Sequence, residues 1–119
     1  LYELAQARSQ NEQDRRLIDR IDQLMQDKGY QLDYTDLARS LGMGLSTLRR
    51  RFAQATGQSL HAYVLDARLA AACQWLRDTD LPIKTIASML GYRDVYFFSR
   101  QFHEKIGVTP RAYRISRLG

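Results

Sequence analysis

Apolar residues recur along the chain at intervals of three and four positions, the spacing that gathers them on one face of an α-helix. No long stretch alternates between apolar and polar residues as a strand does, and only Pro82 and Pro110 interrupt the helical pattern. The pattern therefore predicts an all-α fold of seven helices. The predicted helices cover about 14–28, 35–41, 45–56, 59–77, 83–90, 94–106 and 109–113.

Capping residues and glycines set the predicted limits of these helices. Asp14 is predicted to open the first helix and Gly29 to end it, whereas Thr35 is predicted to cap the second helix. Residues 1–13 are polar and loosely patterned, which is typical of a linker or a frayed helix left from an upstream domain. Ile106 is predicted to face inward at the end of the sixth helix. The buried side of the fourth helix is predicted to carry Leu60, Tyr63, Val64, Ala67 and Ala71.

Two segments of the chain repeat each other. The first reads LARSLGMGLSTLRRRFAQATGQSLHAY over residues 37–63, and the second reads IASMLGYRDVYFFSRQFHEKIGVTPRAYR over residues 86–114. Matching positions are 49 residues apart in the first helix of each segment and 50 residues apart in the helix that follows. The second copy thus carries one extra residue in the intervening turn. A turn tolerates such an insertion, so the pattern indicates a duplicated structural unit.

The repeated unit has the order of a helix-turn-helix, in which a short helix and a turn precede a longer helix that can lie in the DNA major groove. In the first copy Leu48 and Phe52 are predicted to face inward, so the helical period turns the opposite face outward. That outward face carries Ser46, Thr47, Arg49 and Arg50.

The second copy repeats this arrangement with different side chains. Phe98 and Phe102 are predicted to face inward, which leaves an outward face made of Tyr96, Phe97, Ser99 and Arg100. An arginine is therefore predicted at the centre of both outward faces. The helix between the copies, about 19 residues at ~1.5 Å each, would span ~28 Å. Successive major grooves on one side of B-DNA are ~34 Å apart, so such a connector is suited to placing two reading helices in adjacent grooves.

Charge and composition strengthen the DNA-binding hypothesis once these positions are known. The 119 residues carry a net charge of +5, and 15 of the 18 basic residues are arginine. Arginine binds phosphate and guanine in a fixed bidentate geometry, whereas lysine acts as a point charge. Cys73 is the single cysteine, which excludes an intrachain disulfide, and two histidines make a zinc site implausible. No cofactor is implied, no apolar run is long enough for a membrane, and a cytoplasmic location is expected.

These two segments resemble the DNA-binding domain of the AraC/XylS family of bacterial transcription regulators. The resemblance covers residues 14–115, and its most specific part is the second segment. It implies two helix-turn-helix units joined by a long helix, which bind double-stranded DNA sequence-specifically near promoters. It also implies activation of transcription through RNA polymerase, and an effector or dimerisation domain upstream. The corresponding division is a linker over 1–13, a first unit over 14–58, a connecting helix over 59–77 and a second unit over 78–119.

The resemblance assigns DNA contact to the same outward positions. In the first helix these are Ser46, Thr47, Arg49 and Arg50, and in the second they are Tyr96, Phe97, Ser99 and Arg100. Gly44 stands where the family often has a serine cap. Tyr96 and Phe97 are bulky for a base-reading face, and two interpretations stay open: contact with thymine methyl groups, or packing against protein.

The same residues also allow other interpretations. Arg51 points sideways on its helix, which suits a phosphate contact or plain solvation. Trp75 and Cys73 are expected in the core. Ser99 and His103 have the spacing of a catalytic pair, but no third orienting group is evident, so no enzyme is expected. The alternatives to sequence-specific binding are a helical protein-interaction module and a sequence-nonspecific nucleic-acid binder.

Overall fold

The computed structural model describes the backbone of residues 2–117. Within that range the chain forms seven α-helices and no strand. The helices are α1 (Tyr2–Asp27), α2 (Tyr34–Ser40), α3 (Leu45–Thr56), α4 (Leu60–Asp78), α5 (Ile83–Met89), α6 (Val95–Ile106) and α7 (Pro110–Ser116). The predicted all-α fold with two helix-turn-helix pairs and a long helix between them is confirmed. In the described range no helix is long and apolar enough to cross a membrane.

The two repeated segments of the sequence have the same backbone structure. Helices α2 and α5 both have 7 residues, and helices α3 and α6 both have 12. Gly57 and Gly107 end α3 and α6 in the left-handed conformation, with φ of 75° and 93°. Ser59 and Thr109 then accept a backbone N–H at the start of the next helix, at 3.1 Å each. The single extra residue of the second copy lies in the turn before α6, as predicted.

Helix α1 is longer than predicted, because it begins at Tyr2 instead of Asp14. Residues 2–13, predicted as part of a linker or a frayed helix, therefore form the first half of α1. Side-chain pairs one turn apart support this part of the helix: Gln10 donates to Asp14 at 2.9 Å, and Arg16 donates to Glu12 at 3.3 Å. Such polar pairs form without a buried apolar stripe, which is why the apolar pattern did not reveal the helix.

The prediction that Thr35 caps α2 is wrong. Asp33 precedes the helix, and its carboxylate accepts the backbone N–H of Asp36 at 2.9 Å. Thr35 lies inside the first turn. Both residue types are good caps, and the choice between them depends on which one leaves the helical conformation; Asp33 does, with φ −90° and ψ 119°.

The described residues form two compact units, one of residues up to Lys28 with Leu32–Val64, and one of Gly29–Gln31 with residues from Leu65 onward. In the first unit α1 and α2 both pack against α3. Its buried apolar residues are Leu17, Ile21, Met25, Leu37, Ala38, Leu48, Phe52, Leu60 and Val64. The predicted inward positions of Leu48 and Phe52 are confirmed.

The second unit is built on the remaining part of α4 together with α5, α6 and α7. Its core consists of Leu65, Leu69, Ala71, Ala72, Leu76, Ile86, Ala87, Leu90, Phe98 and Phe102. Trp75 and Cys73 pack against this core and are partly buried. Ala67, predicted on the buried side of α4, is half-buried, and Leu65 and Leu69 beside it are buried. The prediction that Ile106 faces inward was wrong. Ile106 is 38% exposed, because it is the last residue of α6, one turn beyond the buried Phe102.

Candidate nucleic-acid interface

Helix α3 presents the four residues predicted for DNA contact on its solvent side. Ser46, Arg49 and Arg50 are exposed and Thr47 is half-buried, while Leu48 and Phe52 on the opposite side are fully buried. Within residues 2–117, Arg49 and Arg50 form no hydrogen bond or ion pair with another side chain. Their guanidinium groups therefore keep all their donors available for a ligand.

The turn before α3 orients that face. Gly42 takes a left-handed conformation with φ 72°, and the N–H of Met43 donates to the carbonyl of Ala38 at 3.1 Å. Gly44 is the N-cap of α3 and offers no side chain to the first amides of the helix. Free amides and the positive end of the helix dipole make this N-terminus attractive to an anion.

Helix α6 presents a more aromatic face. Tyr96 is 73% exposed and Phe97 is 49% exposed, Arg100 is exposed, and Ser99 is half-buried. The Phe97 ring lies 6.0 Å from the ring of Tyr92, and the guanidinium of Arg100 lies 6.0 Å from the centre of the Phe97 ring. Phe97 thus has one side against the protein and carries Arg100 on its ring, whereas Tyr96 projects into solvent.

The start of α6 also differs from the start of α3. The carboxylate of Asp94 accepts the backbone N–H of Tyr96 at 2.8 Å, so a side chain occupies the position that stays free beside Gly44. Asp94 therefore caps α6 and places a negative charge where α3 has none. An anion would be attracted less strongly to this N-terminus.

Each unit has a cleft beside its turn that the sequence interpretation did not identify. In the first unit Thr35, Arg39 and Gly42 contribute to it, and in the second unit Lys84 and Gly91 do. Thr35 and Lys84 are 49 residues apart, and so are Gly42 and Gly91, so the clefts are related by the repeat. Arg93, the extra residue of the second turn, also lines the second cleft. The repeat itself was the signal that could have revealed these positions.

The histidines and the lone cysteine form no centre of chemistry in the described residues. No group of three His, Cys, Asp or Glu side chains is arranged there to hold a metal ion. The Nδ1 atom of His61 lies 3.1 Å from the hydroxyl of Tyr34, which accounts for its polar contact. Between residues 2 and 117 no hydrogen bond joins Ser99 to His103, the pair whose spacing raised the question of catalysis.

Known proteins are similar to this chain in sequence and in fold. A family model described as a helix-turn-helix domain matches residues 37–116. The transcriptional activator NphR of Rhodococcus sp is 34% identical over 99 residues, which are 82% of this chain and 29% of that protein. The chain thus spans under a third of that relative's length.

Two solved structures match over most of the chain. The C-terminal domain of AraT, a response regulator from Geobacillus stearothermophilus, has a TM-score of 0.76 and 29% identity, covering 84% of each chain. The DNA-binding domain of AdpA in complex with a target DNA has a TM-score of 0.76 and 25% identity, covering 84% of this chain and 90% of that one.

The fold, the repeated outward faces and these likenesses define a DNA-binding domain of the double helix-turn-helix type. The chain belongs to the AraC family of transcription regulators.

Proposed function

We propose that α3 and α6 each lie in a major groove and that the two units read two adjacent segments of one duplex. The observation that carries this proposal is the position of Arg50 and Arg100, which are 50 residues apart and exposed on the solvent side of matching 12-residue helices. The opposite sides of both helices are buried by matching residues, Leu48 with Phe98 and Phe52 with Phe102. The two outward faces are therefore held by the same packing.

Base reading is assigned to the two central arginines. Arg50 and Arg100 would each donate to the O6 and N7 atoms of a guanine, the commonest specific contact in the major groove. Ser46, Thr47 and Arg49 would make the neighbouring contacts of α3. In α6, Tyr96, Phe97 and Ser99 would make them, and the two rings would contact thymine methyl groups.

Phosphate contacts are assigned to the clefts beside the turns. Arg39 in the first unit and Lys84 and Arg93 in the second place positive charge beside the start of a reading helix. Arg39 is also paired with Asp36 at 3.0 Å, but both side chains are largely exposed, so this pair is weak and easily opened. Such contacts fix the orientation of a protein on DNA and make its affinity depend on salt.

At the level of the whole protein we propose a cytoplasmic transcription activator. Support comes from the relatives, since NphR is named as a transcriptional activator and the AdpA domain was solved with a target DNA. Contacts with RNA polymerase and an effector or dimerisation domain upstream of α1 belong to the same proposal. A catalytic role is not part of it.

The experiment that tests the proposal is selection of bound duplexes from a random library at near-physiological salt, followed by affinity measurements. We expect two short conserved blocks whose centres are about 10 base pairs apart. Arg50→Ala and Arg100→Ala should each cost ~1–3 kcal/mol and relax the preference in one block only. Arg111→Ala, an exposed arginine of α7, is the matched control and should leave both blocks intact.

Other outcomes would change the function. A single block would mean that one unit reads bases and the other only contacts the backbone. Binding without a preferred sequence, lost steeply as salt rises, would indicate a nonspecific nucleic-acid binder. No binding to duplex DNA at all would favour the protein-interaction module.

A further inference from the structure

Two residues flank Arg100 on helix α6, and only one of them was predicted to contact DNA. Successive residues of an α-helix are about 100° apart around its axis, so Ser99 and Gln101 lie at equal angles on either side of Arg100. Both are half-buried. Gln101 therefore stands as close to the centre of the outward face as Ser99 does. Among the described residues Gln101, unlike Ser99, forms a hydrogen bond with another side chain.

That partner is Tyr92, in the turn between α5 and α6. Its hydroxyl donates a hydrogen bond to the Oε1 atom of Gln101. The Tyr92 ring is held by Phe98 at 5.1 Å, by Phe97 at 6.0 Å, and by the guanidinium of Arg68, which lies 5.7 Å from the ring centre.

The guanidinium of Arg68 is fixed in turn. Its Nε atom donates to the backbone carbonyl of Tyr30 at 3.1 Å. The hydroxyl of Tyr92 consequently has a defined position, and so does the amide group of Gln101 that it contacts.

The direction of this hydrogen bond decides what Gln101 presents to a ligand. Burial raises the pKa of Tyr92 and the positive charge of Arg68 lowers it; burial is the larger effect, so the phenol keeps its proton at neutral pH. A primary amide has one acceptor oxygen and two N–H donors. With the oxygen engaged by Tyr92, the amide group offers N–H donors.

We propose that Gln101 is a further base-reading residue of α6, oriented by Tyr92 so that its amide donates to an acceptor on a base edge. The acceptors available in the major groove are O6 and N7 of guanine, N7 of adenine and O4 of thymine, while cytosine offers only a donor. The inference rests on the proposed placement of α6 in the major groove. It is confined to the second unit, because the matching positions of the first unit hold Arg51 and Met43, which has no hydroxyl.

Duplex selection with four single variants of the chain and one double variant tests the proposal. Gln101→Ala should weaken the preference at one base pair of the second block roughly 3- to 10-fold, the range for one hydrogen bond. Tyr92→Phe keeps the ring and removes the hydroxyl, so it should weaken the same base pair. Gln101→Glu replaces the donors by a carboxylate that only accepts, so it should shift the preference there to cytosine.

Tyr113→Phe is the control for removal of a hydroxyl from the second unit. The Tyr113 hydroxyl accepts from Arg77 at 2.9 Å and has no contact with Gln101, so this variant should select the wild-type block. If it changed the same base pair as Tyr92→Phe, positioning by Tyr92 would be overturned. The same holds if Tyr92→Phe still altered that base pair in the Gln101→Ala background.

The remaining outcomes separate this inference from the proposed function. A second block that is unchanged by Gln101→Ala would overturn the inference and leave the proposed function standing. Equal weakening on every sequence would assign Gln101 to a phosphate instead of a base. Absence of a second block from the wild-type selection would overturn both.

Discussion

The two helix-turn-helix units have the same helix packing and differ in the chemistry of their outward faces. The same aromatic contact occurs in both units. The ring centres of Phe52 and Tyr63 are 5.0 Å apart in the first unit, and those of Phe102 and Tyr113 are 5.8 Å apart in the second. The outward face of α3 is small, polar and basic, and its arginines are not held by other side chains in the described range. The face of α6 is aromatic, and Arg100 rests on the Phe97 ring.

The repeat therefore preserves the buried packing, while the outward faces of α3 and α6 are free to change. Buried positions must fill a given volume, so substitution there is costly. Exposed side chains fill no such volume, so replacing one of them changes the stability of the folded unit little. The two units are thus expected to read different sequences, with α6 discriminating more through shape and apolar contact and α3 through polar donors.

Removing a buried ring that both units have in common should reduce stability the most. Phe52→Ala and Phe102→Ala each remove a fully buried ring and should cost about 3–5 kcal/mol of stability. We expect amide hydrogen exchange to accelerate first in α3 for Phe52→Ala and in α6 for Phe102→Ala. Equal loss of protection in both helices for both variants would show that the units unfold together.

The next effect concerns a support that only the second unit has. Arg117 donates to the carbonyls of Leu76 at 2.9 Å and Thr79 at 2.6 Å, beyond the reach of the intrahelical bonds of α4. Its counterpart 50 residues earlier is Ala67. Arg117→Ala should destabilise the second unit by ~1–3 kcal/mol, since the carbonyls of Leu76 and Thr79 then keep only Arg114 as a charged donor, at 3.2 and 3.3 Å. Urea denaturation measures this; Lys84→Ala, which removes an exposed cation from the same unit, should change stability much less.

A smaller effect is the dependence of stability on pH that Tyr63 of the first unit produces. Burial, followed by the hydrogen bond that its hydroxyl donates to Asp22 at 2.5 Å, raises the pKa of Tyr63 from 10.0 to about 12. The unfolded chain therefore loses this proton at lower pH than the folded one, and stability falls between pH 10.0 and about 12. Tyr63→Phe should cost ~1 kcal/mol near neutral pH and reduce that fall. Denaturation curves of both proteins across this window measure it, and parallel curves would contradict the assignment.

The smallest effect comes from changing the N-cap residues of α3 and α6. Gly44 has φ −77° and no atom within 4 Å of an added Cβ, so Gly44→Ser should fit and stabilise α3 by a few tenths of a kcal/mol. Asp94→Gly should destabilise α6 by a similar amount. Thermal denaturation of the two variants, each against wild type, is the measurement. Shifts of the same sign would refute the comparison.

Much of the fold was predictable because burial of helices is periodic along the sequence. The inward positions of Leu48, Phe52, Phe98 and Phe102 follow from apolar spacing alone, and the bounds of α3 follow from Leu45 and Gly57. Helix ends supported by polar pairs were less predictable. The start of α1 and the cap at Asp33 depend on which of several suitable side chains bonds the backbone, and local composition does not distinguish them.

For the interface, the sequence predicted which residues face outward but not what holds them. Exposure of Arg50 and Arg100 follows from the helical period. The contact of Arg100 with Phe97 and the bond from Tyr92 to Gln101 depend on rotamers selected by neighbouring elements. Two open alternatives for Phe97, packing and groove contact, turn out to be compatible, because its ring is half-exposed and also lies against Tyr92.

The all-α fold and the two outward faces could be predicted from the sequence, because they follow from the spacing of apolar residues. The duplication could be predicted because two segments of the sequence repeat each other. Tertiary structure decided which long-range partners meet. Arg117 reaches carbonyls about 40 residues earlier, and Arg68 reaches the carbonyl of Tyr30, 38 residues away. Hydrogen bonds of this kind depend on distance and angle in three dimensions, and no periodicity of the chain encodes either quantity.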